Sequence, residues 1–136
     1  MKCFDWQPEY SRSFGTVKRP LAEIYLKNAK GEWQPLFVYV DSGADVTVIK
    51  RSFADLLGVK LRSGKFAEFA GIGGGKIETF IHHIDLRIGH YTLTGVEVAF
   101  CANDIPPNLL GRKGIFNIMD IYFKCLDEAT CFLKKK

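Results

Sequence analysis

Asp41 has the setting that promises the most chemistry. It stands in Asp41-Ser42-Gly43-Ala44-Asp45, between the apolar runs Leu36 to Val40 and Val46 to Ile49. A carboxylate framed this way is expected to be buried or nearly so, and a buried charge is costly unless it is paired or protonated. Ser42 supplies a hydroxyl, Gly43 permits a close turn, and Ala44 keeps the next position small, so the loop can pack against another copy of itself. Asp-Ser-Gly is also common Asx-turn chemistry, which is the structural alternative.

The other candidates narrow quickly. Gly71-Ile72-Gly73-Gly74-Gly75 is rich enough in glycine to cradle a phosphate. A Walker loop, however, needs Gly where Ala70 stands and Ser or Thr where Ile77 stands, and Lys76 occupies the last glycine of a dinucleotide fingerprint. Cys3, Cys101, Cys125 and Cys131 form no CxxC pair, and His82, His83 and His90 complete no zinc spacing, so neither metal nor cofactor is expected. The cysteines are expected as free thiols. Cys125 and Cys131 could meet across a hairpin, but no disulfide is expected.

The elements that must position these residues are mostly strands. Leu21 to Lys27 alternates, with Ala22, Ile24 and Leu26 on one face. Leu36 to Val40 is apolar on both faces, as in a strand covered on both sides, and Val46 to Ile49 is a second such run. Phe66 to Phe69 and Ile77 to Ile88 flank the glycine-rich tip as a hairpin, with a bulge expected near His82-His83, where the apolar parity switches. Val96 to Cys101 is another strand, Ile105-Pro106-Pro107 forces extended chain, and Ile121 to Leu126 with Cys131 to Leu133 makes a closing hairpin. Two short helices are expected: Ser52 to Leu57, with Ser52 as N-cap and Gly58 as stop, and one through Ile115, Phe116 and Met119.

The 136 residues fit one domain and not two lobes, and 47% hydrophobic content builds a core and excludes global disorder. Nineteen basic against fifteen acidic residues give +4, three of those charges in Lys134 to Lys136, so no nucleic-acid partner is expected. No segment approaches a membrane span and no secretory leader is evident, so no membrane partner is expected and a cytoplasmic location is favoured. Residues 1–15 read as an N-terminal arm without periodicity, 16–134 as the domain, and 135–136 as the end of a basic tail.

Val40-Asp41-Ser42-Gly43-Ala44-Asp45-Val46-Thr47-Val48-Ile49 resembles the active-site loop of retropepsin-like aspartic proteases. Gly71 to Gly75 resembles the flap of that family, with Ile72 near its tip. Leu109-Leu110-Gly111-Arg112 resembles its second signature, and the three occur in the family's order across roughly residues 20 to 126. The resemblance implies a mainly β single domain, a closed barrel or sandwich with a flap hairpin and one or two short helices, working as a two-fold homodimer on polypeptide substrates. It implies Asp41 as the catalytic residue, Ser42, Gly43 and Ala44 as the active-site loop, and Asp45 with Arg112 as a scaffolding ion pair. Val46 and Leu109 would shape the substrate pocket.

Aspartic-protease chemistry needs two carboxylates sharing a proton, because like charges at close range do not both ionise. No aspartate other than Asp41 is followed by Ser or Thr and then Gly, so the second carboxylate must come from an identical subunit. The resemblance also implies activity at mildly acidic pH. Two departures from retroviral members stand out. Val46 replaces an acidic residue those enzymes often carry, and the chain continues past the short helix, where theirs ends in an intersubunit sheet. The competing reading is a catalytically silent dimerisation or peptide-binding module of the same fold.

Overall fold

The computed structural model describes residues 1–71 and 74–134. Its centre is built by alternation. Strand β4 (Leu21–Lys27) buries Ala22, Ile24 and Leu26 completely, and pairs antiparallel with β5 (Trp33–Val40) in unbroken register from Leu21↔Tyr39 to Lys27↔Trp33. In β5, Leu36, Val38 and Val40 face the core while Phe37 is exposed. One face of this strand is therefore open, where the continuous apolar run suggested cover on both.

Strands β6 (Thr47–Ile49), β7 (Lys65–Ala70), β8 (Lys76–Ile88), β9 (Tyr91–Cys101) and β10 (Leu109–Leu110) complete the main sheet. Hydrogen bonding runs β4-β5-β10-β6-β9-β8, and β8 returns to β4 through Tyr25↔Arg87 and Leu26↔Leu86. That return closes a six-stranded barrel, which removes the free edges an open sheet would present. Strand β7 hangs outside the ring on β8, so the β7–β8 hairpin projects from the barrel. The β8–β9 ladder shifts register between Ile84 and Leu86, slightly past the His82-His83 position read from parity. Phe100, Leu110, Ile115 and Phe132 are among the largest fully buried side chains.

The single α-helix among the described residues, α1 (Arg51–Leu57), buries Ala54 and Leu57 and ends on Gly58 in the left-handed region, where glycine carries no Cβ penalty. Ser52 is not its N-cap. Lys50 holds that position, and a distant carboxylate does the capping: Asp104 accepts from the Ser52 N–H at 2.9 Å, which holds Asp104 below its ordinary pKa. No regular helix forms through Ile115 to Met119. The segment is a run of turns in which Phe116 N–H bonds Arg112 O at 2.8 Å and Met119 N–H bonds Ile115 O at 3.0 Å, before the chain enters the next strand.

Residues 1–15 are ordered as well. Strand β1 (Lys2–Asp5) pairs with β12 (Ala129–Lys134), which pairs with β11 (Met119–Lys124), giving a second sheet in the order β1-β12-β11. Strands β2 (Gln7–Ser11) and β3 (Gly15–Arg19) form a separate hairpin. The β1–β12 register sets Cys3 directly opposite Cys131, and the two are joined in a disulfide, so the expectation of free thiols fails for this pair. At a sequence separation of 128, no local spacing announced it. Cys101 and Cys125 are free, and burial pushes the Cys101 thiol up to about 11, which leaves it inert as a nucleophile.

Candidate active site

Strand β5 delivers Asp41 to the end of the barrel. Its backbone N–H donates to Leu110 O at 3.0 Å, fixing the start of the loop on β10, and Ala44 N–H donates back to Asp41 O at 3.2 Å to close a turn. The Asp41 Oδ1 accepts from the Gly43 N–H at 2.8 Å. This is Asx-turn geometry, so the turn reading and the chemical reading describe one arrangement. A Cβ on residue 43 would stand 3.2 Å from that same oxygen. Asp41 is only part-buried and Ser42 and Gly43 are exposed, against the expectation of burial between apolar strands. The apolar runs end just before and just after the loop, and the loop itself emerges at the surface of the single chain.

Arg112 holds the loop from the far side. Its Nη1 donates to Ser42 O at 2.8 Å and its Nη2 to Asp45 Oδ1 at 2.5 Å, while its backbone N–H bonds Ala44 O at 2.9 Å. Both side chains are well exposed, so the ion pair by itself contributes little stability. The value of the contact is positional, because one guanidinium ties together both ends of the turn. Beneath it, Gly111 N–H donates to the buried Thr47 Oγ1 at 3.1 Å. Val46 is buried beside this contact, whereas Leu109 lines the cleft that contains Asp41.

That cleft, about 410 Å³, carries groups that motif reading did not single out. Tyr39, two residues before Asp41 on β5, donates its hydroxyl to Glu9 Oε1, and Arg19 Nε donates to Glu9 Oε2 at 2.9 Å. The β2–β3 hairpin thus places a charged pair on the wall of the cleft, next to the apolar Pro20, Pro107 and Leu109. The one sequence signal was Tyr39 itself, a phenol in an otherwise apolar run. The hydrogen bond from Tyr39, with the charge of Arg19, holds the Glu9 carboxyl below the usual range, and Glu9 raises the Tyr39 phenol.

A depressed carboxylate stabilises the fold above its unfolded pKa of about 4.3, and that contribution is lost as pH falls through the folded value. Wild type should therefore melt above Glu9→Gln at pH 6, and the gap should close as the pH falls below the folded Glu9 value. A gap that persists unchanged down to the acid limit of folding would show that Glu9 acts by packing and not by charge.

The β7–β8 hairpin is closed by Gly71 N–H to Gly75 O at 2.6 Å, with Gly74 in the left-handed region. Ile72 and Gly73, read as the centre of the flap, lie outside the described residues.

A family model described as "gag-polyprotein putative aspartyl protease" matches residues 29–115, a span that holds the Asp41 loop, the β7–β8 hairpin and Arg112. The chain belongs to the gag-polyprotein aspartyl protease family. Among solved structures, EIAV protease complexed with the inhibitor HBY-793 is similar at 26% sequence identity and a TM-score of 0.54, over 70% of this chain and 83% of that one. A search of curated proteins gives no significant match. The closed barrel of this aspartyl protease chain, with few helices, is the retropepsin-like fold.

Proposed function

We propose that two copies of this chain form one aspartic endopeptidase, with Asp41 of each copy supplying half of the catalytic pair. What carries the reading is the Asp41 loop: a carboxylate oriented by the Gly43 N–H, tied down by Arg112, and facing a cleft that an extended peptide can enter. The chain holds one such loop, and a single carboxylate cannot act as base and acid in the same step.

In the proposed step, one Asp41 is ionised and the other protonated. The ionised carboxylate takes a proton from a bound water as the water oxygen bonds to the scissile carbonyl carbon, while the protonated partner donates to the carbonyl oxygen. Collapse of the tetrahedral intermediate breaks the C–N bond, and the amine leaves with a proton returned by the pair. No covalent enzyme intermediate forms. Only the singly protonated pair is competent, so activity is expected in the mildly acidic window where the two carboxyls share one proton. The peptide would bind in extended form beside β10, with the β7–β8 hairpin over it and Leu109 against its side chains.

The protein incubated with a denatured-protein or peptide library between pH 4 and 7 should produce internal cuts that a transition-state inhibitor such as pepstatin suppresses. Activity per chain should fall on dilution, because the active species is second order in chain. Internal cuts with full specific activity at concentrations where sedimentation finds only monomer would refute the two-chain site. A folded dimer that produces no cuts would favour the silent module.

A further inference from the structure

The β7–β8 hairpin is tied to the barrel at its root, and one histidine makes the tie. Among the described strands β7 pairs with β8 alone, from Lys65↔Ile81 to Ala70↔Lys76. The hairpin is stiff within itself: Thr79 Oγ1 donates to Ala67 O at 2.8 Å, and the rings of Phe66 and Phe80 meet edge to face. The β8–β9 ladder ends at Thr79↔Cys101, so the rest of the hairpin extends past β9. Its inclination to the barrel is therefore decided where β7 begins.

A short 3-10 turn, Leu61–Ser63, leads through Gly64 into that strand. His82 Nε2 bonds Leu61 O at 2.9 Å, and because a carbonyl only accepts, this nitrogen carries the proton and donates. The same ring meets the fully buried Phe100 edge to face, with centroids 5.7 Å apart. His82 thus joins the turn to the core of the barrel. Gly64 is small to admit it: a Cβ there would stand 2.4 Å from His82 Nε2 and 2.7 Å from Ile81 O, although its φ of −79° suits any residue.

We propose that His82 is a positioning residue for peptide cleavage: its bond to Leu61 O fixes the root of the β7–β8 hairpin, and with it how firmly the hairpin holds an extended peptide. This rests on the endopeptidase reading of the Asp41 site. His82 lies at the opposite end of β7 from the Gly71–Gly75 closure and takes no part in proton transfer. Loosening the root lowers the fraction of chains whose hairpin is set to receive a peptide, and apparent affinity falls by that fraction. The rate of the bound complex is left almost unchanged.

His82→Gln and His82→Asn separate the bond from the ring. A glutamine amide nitrogen reaches the place of Nε2 and donates to Leu61 O, whereas asparagine carries the same amide on a shorter stem and does not reach. His82→Asn should raise KM for a peptide substrate at least about fivefold with kcat within about twofold of wild type, and His82→Gln should return KM close to wild type. In hydrogen exchange on the full chain, β7 amides should exchange at least about tenfold faster in His82→Asn than in wild type or His82→Gln, with β4 and β5 amides unchanged. The exchange comparison needs no activity and stays readable if both variants lose some thermal stability. Equal β7 exchange in His82→Asn and wild type would overturn the tie and leave the two-chain protease standing. Faster exchange with KM unchanged would overturn its part in holding peptide, and KM raised alike in both variants would overturn the hydrogen bond as its cause. Faster exchange in His82→Asn, with no peptide cut even by wild type, would overturn the endopeptidase reading and leave the tie at the hairpin root.

Discussion

Asp41→Asn should lower peptide cleavage by at least about a thousandfold, at the upper end of what a general acid–base group contributes, without unfolding the protein. The substitution isolates chemistry from structure unusually well at this position. The carboxylate oxygen that orients the loop accepts one hydrogen bond, from the Gly43 N–H, and an asparagine oxygen in the same place accepts it equally. Arg112 contacts Ser42 O and Asp45, not Asp41, so its grip on the loop is untouched. What the amide cannot do is take a proton from water. The expected result is therefore a dimer of wild-type stability with no activity, measured by cleavage of the same substrate and by thermal melting in parallel. An excess of Asp41→Asn chain should also poison wild type by forming mixed pairs with only one carboxyl. Equal cleavage by the variant and wild type would sink the assignment of Asp41.

How much of this was legible in the residues depended on whether the relevant contact was local. Strand β4 read correctly because alternation is a local signal and its buried face is one side of a barrel wall. The stop at Gly58 was equally visible, since a left-handed C-cap depends on one residue. The turn through Ile115 to Met119 misled, because apolar residues at helical spacing are also what a tight turn needs when it buries Ile115 and Met119 under the sheets. The Ser52 cap failed for a related reason: the loop around Asp104, about fifty residues away, supplies a better acceptor.

The least legible parts join the ends of the chain. Cys3 meets Cys131, Trp6 Nε1 donates to Thr130 Oγ1 at 2.9 Å, and Glu9 reaches Tyr39, contacts that no pattern within a window of sequence encodes. The arm looked aperiodic because its strands are four and five residues long and mostly half-exposed. Its ordering joins the fold to the cleft: β1 fastens the terminus to β12, and the hairpin that follows sets Glu9 and Arg19 within reach of the Asp41 pocket.

Gly111→Ala should cost about 3 kcal/mol or more and lower the thermal midpoint by roughly 10 °C, because the new methyl group has nowhere to go. A Cβ built on Gly111 stands 2.2 Å from Val46 O, 2.3 Å from Val46 C and 2.8 Å from Thr47 N. All three are backbone atoms, so no side-chain rotation relieves the overlap, and Gly111 is required for close approach and not for an unusual φ. The strand it would push away is β6, which runs directly out of the Asp41 loop, and the bond from Gly111 N–H to the buried Thr47 Oγ1 would be strained at the same time. An unmet hydroxyl there adds its own desolvation cost. Displacing residue 111 also moves Arg112 off Ser42 O, so cleavage should fall even at temperatures where the variant remains folded. Gly75→Ala serves as the reference for stability, since a Cβ there meets nothing within 4 Å and should change the midpoint little. If both variants melt together, the backbone-to-backbone contact between β6 and residue 111 is looser than its geometry requires, and the two halves of the site are not held by that contact.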